Sequence, residues 1–128
     1  MRLLLDTHVL LWWLGDSPRL GPKARACFQR SDDELYASIA SLWEIAIKSR
    51  TGKIGATASL VAAHLADGAI PILPVELGHL NLLEQLPLIH RDPFDRMLVA
   101  QSLALSATIM TDDAMIGAYG VPTIAARE

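Results

Sequence analysis

Six acidic residues carry the chemistry this sequence could do. Asp6 closes the apolar run Arg2-Leu3-Leu4-Leu5, and Glu44 lies in Ser41-Leu42-Trp43-Glu44. Asp92 and Asp95 frame Pro93-Phe94, and Asp112-Asp113 follow Thr111. Four carboxylates drawn within about 5 Å would repel by roughly 3 kcal/mol per pair at an effective dielectric near 20. A fold gathers them only around a cation. All the ligands would be hard oxygens, with no Cys or His at zinc spacing, which selects Mg²⁺ or Mn²⁺. A carboxylate-bound Mg²⁺ keeps several waters, lowers the pKa of one and braces a phosphodiester oxygen. In-line phosphodiester hydrolysis is the natural reaction class.

Each acid also has an ordinary structural explanation. Ser41 and Glu44 stand at capping-box spacing, and Lys48 lies four residues beyond Glu44 in the favoured order for an ion pair. Asp92 is a good N-cap, with Pro93 in the first helical position. Asp112 and Asp113 open a turn where acids suit a helix dipole. Asp95 resists such explanations best, because Leu98 and Val99 continue its helix face into the core. Asp6 sits at the tip of a buried strand. Of the acidic pairs, the residues assign Asp95 as ligand and Asp92 as cap or outer support. Thr7, Thr111 and Asp112 are neighbours that could support the site.

The elements that must position these residues alternate. The pattern predicts strands over residues 2–6, 35–38, 70–75, 108–110 and 122–124. It predicts helices over 7–14, 22–30, 41–53, 57–66, 76–86 and 93–105. Strands separated by helices imply an α/β fold: a central parallel sheet of four to five short strands with helices on both faces. Ligands then sit beyond the carboxyl ends of the strands, where Asp6 and Asp112-Asp113 fall.

The chain has 128 residues, 52% hydrophobic and 20% charged, which bounds it to one domain with a dense aliphatic core. The formal net charge of −3 counts against a passive nucleic-acid-binding module. It counts less against an enzyme whose bound cation meets the phosphate. Met1-Arg2-Leu3-Leu4-Leu5 starts like a signal peptide, but Asp6 and His8 interrupt it. The expectation is a cytoplasmic protein with no membrane span. Cys27 is the only cysteine, so no internal disulfide forms.

Four fragments together resemble the PIN domain and, within it, the VapC-type toxins of bacterial toxin–antitoxin pairs. These are Leu4-Leu5-Asp6-Thr7-His8, Ser41-Leu42-Trp43-Glu44-Ile45, His90-Arg91-Asp92-Pro93-Phe94-Asp95-Arg96, and Thr111-Asp112-Asp113 followed by Tyr119-Gly120-Val121-Pro122-Thr123-Ile124. The resemblance spans nearly the whole chain. It implies a Mg²⁺- or Mn²⁺-dependent endoribonuclease acting on RNA, usually a homodimer, held inactive by an antitoxin protein. By position it carries the acidic quartet onto Asp6, Glu44, Asp95 and Asp113, with Asp112 adjacent to the last.

Arg91 and Arg96 flank the acids and are candidates for phosphate contact. Lys48, Arg50 and Lys53 could steer phosphate or simply form a solvated face. His8 and His90 adjoin site residues, in a hydrogen-bonding or proton-transfer role. Of Trp12 and Trp13, one is expected in the core and the other toward a partner; Trp43 is expected in the core. Two rival functions have sequence signatures to check. An Asp6-nucleophile phosphatase or phosphotransfer protein would want a second Asp at the position His8 occupies, or an acidic pair and a late lysine. A PIN-like binding module without metal would not need every acid retained.

Overall fold

A computed structural model describes residues 1–128. Its strands are β1 (Arg2–Leu5), β2 (Glu34–Ser38), β3 (Ile72–Leu73), β4 (Thr108–Thr111) and β5 (Thr123–Ala125). Its helices are α1 (Thr7–Leu14), α2 (Pro22–Cys27), α3 (Ile39–Arg50), α4 (Ala58–Asp67), α5 (Leu77–Gln85), α6 (Pro93–Leu105) and α7 (Ala114–Gly117). The strands form one parallel sheet in the order β3-β2-β1-β4-β5. The chain therefore winds outward in both directions from β1, and the β1/β4 boundary is the switch point where such sheets bind ligands.

The period of two along β1 explains why the sheet is covered on both faces. Leu3 and Leu5 enter a large cluster with Val9 and Leu10 of α1, Ile45 of α3 and Leu65 of α4. Leu4 points the other way, onto Leu98 of α6. In β4 the same alternation sends Met110 to the first cluster and Ile109 to Val99 and Ile116. Leu98 and Val99 are fully buried, so α6 lies flat on the second face and its first turn is carried to the sheet edge. Truncating Leu98 to Ala would cost about 2–5 kcal/mol. No helix is long and apolar enough to cross a membrane.

Several element boundaries differ from the sequence expectation for local reasons. Helix α3 begins at Ile39, not at Ser41, because Ser38 ends β2 and its Oγ accepts from the Ala40 amide at 3.0 Å. The Ser41–Glu44 capping box is therefore not made. Strand β3 shrinks to Ile72–Leu73, between Pro71 and Pro74, which offer no N–H to a ladder. Helix α2 ends at Cys27, after which Phe28 and Gln29 bond three residues back in tighter turns. Trp43, expected in the core, is 63% exposed. It shares the solvent-facing side of α3 with Ile39 and Ile47. Trp12 is the buried member of its pair, while Trp13 is half-buried and stacks on Phe28.

Candidate metal centre

Asp6 occupies the residue between β1 and α1 and serves both elements. Its amide donates to Met110 of β4 at 3.1 Å, continuing the ladder. Its Oδ1 accepts from the Val9 amide at 2.9 Å, capping α1. Its Oδ2 accepts from the Thr111 hydroxyl. Burial raises its pKa, and these hydrogen bonds pull it back only in part. At 3% exposure and already engaged by two donors, the carboxylate is poorly presented as a free nucleophile, which weighs against the phosphatase alternative.

Thr7, the first residue of α1, is buried and its Oγ1 has no partner. Thr111 ends β4, and besides binding Asp6 it accepts the Asp113 amide at 3.0 Å. One hydroxyl thus ties the tips of the two central strands together.

Glu44 lies within α3, on the stretch that leaves the carboxyl end of β2. Helical side chains lean toward the helix N-terminus, so Glu44 leans back toward the sheet edge. It is buried, at 4% exposure, and Lys48 Nζ sits 2.5 Å from its Oε2. That bond raises the Lys48 pKa beyond what burial removes, with the charges of Asp92 and Asp95 adding to it. Lys48 is thus half-buried and paired with Glu44, not simply solvated helix face. Arg50 and Lys53 are exposed.

In α6 the Asp92 side chain accepts from the amides of Phe94 and Asp95, at 2.8 and 3.3 Å, so it is the N-cap. Asp95 is left to point inward. Burial raises its pKa to about 7, helped by the negative charges of Asp92, Asp6 and Glu44 and opposed by His90. By distance, His90, Asp95 and Asp113 present atoms within 4.8 Å of one another, while Asp6 and Glu44 act on Asp95 through their charge.

Asp113 caps α7 through the Met115 amide at 2.9 Å, and its Oδ2 lies 2.7 Å from His90 Nε2. Burial would raise its pKa, but the His90 and Met115 hydrogen bonds lower it on balance. Asp112 turns outward and pairs with Arg127 at 2.8 Å.

His90 is the residue sequence reasoning left least decided. Its Nε2 also lies 3.1 Å from Asp95 Oδ2, so the ring spans two acids. Burial would lower its pKa; the Asp113 hydrogen bond and the charges of Asp95, Asp113 and Asp92 raise it overall. A second proton would have to enter at Nδ1, where the Asp92 amide already points at 3.1 Å. A backbone N–H cannot accept, so in the neutral ring this contact leaves Nδ1 bare and the proton on Nε2. The spacing His90-Arg91-Asp92-Pro93 was the available signal, because a cap residue's amide is free to meet a side chain two places back.

The arginines divide. Arg96 donates to the Pro87 carbonyl at 2.8 Å, to Tyr119 Oη at 3.1 Å and to the Leu83 carbonyl at 3.4 Å. Its guanidinium is thus engaged within the fold, and it is a poor candidate for phosphate contact. Arg91 is exposed. His8 is exposed on α1, near enough for its charge to act on Asp6 and Asp113.

The candidate ligands are carboxylate oxygens with one imidazole beside them, and Asp95 is perturbed first by burial and then by the neighbouring acids. That set fits a hard divalent cation such as Mg²⁺ or Mn²⁺.

The architecture has solved counterparts. One is a structure of VapBC2 from Rickettsia felis bound to a DNA fragment from its promoter, with a TM-score of 0.74, 14% identity, and coverage of 97% of this chain and 98% of that chain. Another is VapBC-1 from nontypeable Haemophilus influenzae, with a TM-score of 0.68, 16% identity and full coverage of both chains. A third is FitAcB from Neisseria gonorrhoeae, with a TM-score of 0.61, 18% identity and 96% coverage each way. No curated protein matches the sequence. The family model of the PIN domain matches residues 3–121, which include every acid described above, and the chain belongs to the PIN domain family.

Proposed function

We propose that this protein is a Mg²⁺- or Mn²⁺-dependent endoribonuclease and the toxin of a toxin–antitoxin pair. PIN domains are nucleases, and the single observation that carries the finer reading is the convergence around Asp95. Its pKa is pushed to about 7 by burial and by Asp92, Asp6 and Glu44. Without a cation such a group is an energetic cost; with one it is a ligand. Asp6, Glu44, Asp95 and Asp113 would hold the ion. When bound, it would supply an activated water and neutralise charge on the phosphodiester. Asp6 is fixed by two donors, so it offers a preset carboxylate at the switch point. Lys48 balances Glu44 and adds positive charge on the side where a phosphate would arrive. Arg91, exposed beside the site, is the better arginine for the RNA backbone.

An apolar groove beside the acids supports the partner half of the proposal. A cavity of about 500 Å³ is lined by Ile39, Trp43, Leu80, Leu83, Phe94 and Met97 among others. Trp43 meets Phe94 edge-on at 5.3 Å. Trp43 and Phe94 immediately precede Glu44 and Asp95, so a segment seated in the groove would lie next to the metal ligands. An antitoxin fits that position. The protein is expected to act as a homodimer in the cytoplasm.

Purified protein should cut RNA with Mg²⁺ or Mn²⁺ and stop in EDTA; undiminished cleavage in chelator would remove the metal-hydrolysis reading. Expression alone should arrest growth, and co-expression of an adjacent small gene should restore it. Active, well-folded protein that causes no arrest would point to a housekeeping nuclease.

A further inference from the structure

We infer that His90 is a positioning residue whose Nε2–H draws the carboxylates of Asp95 and Asp113 together to receive the cation. The inference rests on the metal-site reading above and adds a residue to it.

The hydrogen-bond geometry decides between two roles. His90, Asp95 and Asp113 present atoms within 4.8 Å of one another, so by distance alone the imidazole could be a third ligand. A ligand nitrogen needs its lone pair. The Asp92 amide donates to Nδ1 at 3.1 Å, and an N–H donor demands an unprotonated acceptor there. The one proton of the neutral ring is then on Nε2, the atom that faces both acids. Nε2 lies 2.7 Å from Asp113 Oδ2 and 3.1 Å from Asp95 Oδ2, a shared donor between them. For Nε2 to bind metal, the proton would move to Nδ1 and confront the Asp92 N–H.

The ring is also held from behind. The His90 amide donates to Tyr119 Oη at 2.8 Å, and the same oxygen accepts from Arg96 at 3.1 Å. Arg96 is itself tied to the Pro87 and Leu83 carbonyls, so the histidine is anchored to the α5–α6 corner. Asp95 and Asp113 belong to different elements, α6 and the cap of α7, and like charge pushes them apart. His90 is the side chain that bridges them.

The test uses the full chain and Mn²⁺ itself as the probe. Pulsed electron paramagnetic resonance of the Mn²⁺-loaded wild type should show no directly bound nitrogen. Nitrogen-15 spectra of the metal-free protein should show His90 protonated at Nε2 and bare at Nδ1. By calorimetry, His90→Ala should lose about 10–100-fold in Mn²⁺ affinity, the usual loss when a group that orients a ligand is removed. His90→Gln, which keeps an N–H donor near the Nε2 position, should recover most of it. A coordinated imidazole nitrogen would overturn the inference, as would an Ala variant that binds like wild type or a Gln variant as weak as Ala. The two wild-type spectra need no variant, so they decide the matter even if His90→Ala fails to fold. If wild type cuts RNA with Mn²⁺ and these tests fail, only the role of His90 falls. If wild type binds no Mn²⁺, the metal centre falls with it.

Discussion

The Thr111 hydroxyl donates to Asp6 Oδ2 across 105 residues of sequence, inside the protein. The same oxygen accepts the Asp113 amide, so a single side chain fixes one acid of the quartet and the backbone of another. Thr111→Val keeps shape but leaves a buried carboxylate short of a donor, a loss of about 1–3 kcal/mol. We expect Mn²⁺ affinity to fall by about tenfold, as for other groups that orient a ligand. Thr111→Ser, which retains the hydroxyl, should stay near wild type. Calorimetric titration of both variants separates the hydroxyl from mere packing.

Asp95 should behave as a group that the metal-free fold tolerates at a cost. Its pKa is raised by burial first, then by Asp92, to about 7. The folded chain thus holds a proton that the unfolded chain has released, between about pH 4 and pH 7. Metal-free stability falls as pH rises through that window. Asp95→Asn removes the charge, so it should melt higher than wild type at pH 8 in EDTA. The gain should be on the order of 2 kcal/mol, discounted because the group is partly solvated. At pH 4 the advantage should vanish. A melting series across pH, with equal values for both proteins at pH 8, would contradict the assignment.

The same proton sets the pH dependence of metal binding. A ligand carboxylate must be ionised, so below about pH 7 each unit of acid should weaken Mn²⁺ binding by up to about tenfold. Asp95→Asn should bind weakly and with a shallower slope, since the group that competes with the ion is gone. Titrations from pH 5.5 to 8 at constant ionic strength test this. A wild-type affinity flat across the range would place the proton elsewhere.

Much of this arrangement is legible in the residue order, for reasons visible at particular positions. Asp6 and Thr111 end apolar strands, and parallel strands put their carboxyl ends on one edge, so their proximity follows from topology. Asp95 was readable because Leu98 and Val99 fix its face of α6. The start of α3 was not, because Ser38 and Ser41 both carry a cap hydroxyl and only the end of β2 chooses between them. Trp43 misled because burial of a large apolar side chain is a general tendency, and the exposed face of α3 that Trp43 shares with Ile39 and Ile47 departs from it. The roles of His90 and Arg96 depend on contacts with Asp113 and Tyr119, 23 residues away in each case. Local spacing encodes only the Asp92 amide contact to His90, not these.

The choice between Asp112 and Asp113 is where sequence and geometry can be tested against each other. Successive residues at a strand end point to opposite sides, so only one can face Asp6. In the structure Asp113 turns to His90, beside Asp95, while Asp112 turns to Arg127 at the surface. The Asp112–Arg127 pair is exposed enough that losing it should cost well under 1 kcal/mol. Asp113→Asn keeps the cap on α7, since Asn caps as well as Asp, and removes only the ligand charge. Asp113→Asn should therefore fold normally yet cut RNA at least about tenfold more slowly at limiting Mn²⁺, within the range for damaged metal sites. Asp112→Asn should stay within about threefold of wild type, as expected for a surface substitution. Single-turnover cleavage against Mn²⁺ concentration measures both. The reverse order would make Asp112 the fourth acid and would require the β4–α7 turn to rotate when metal binds.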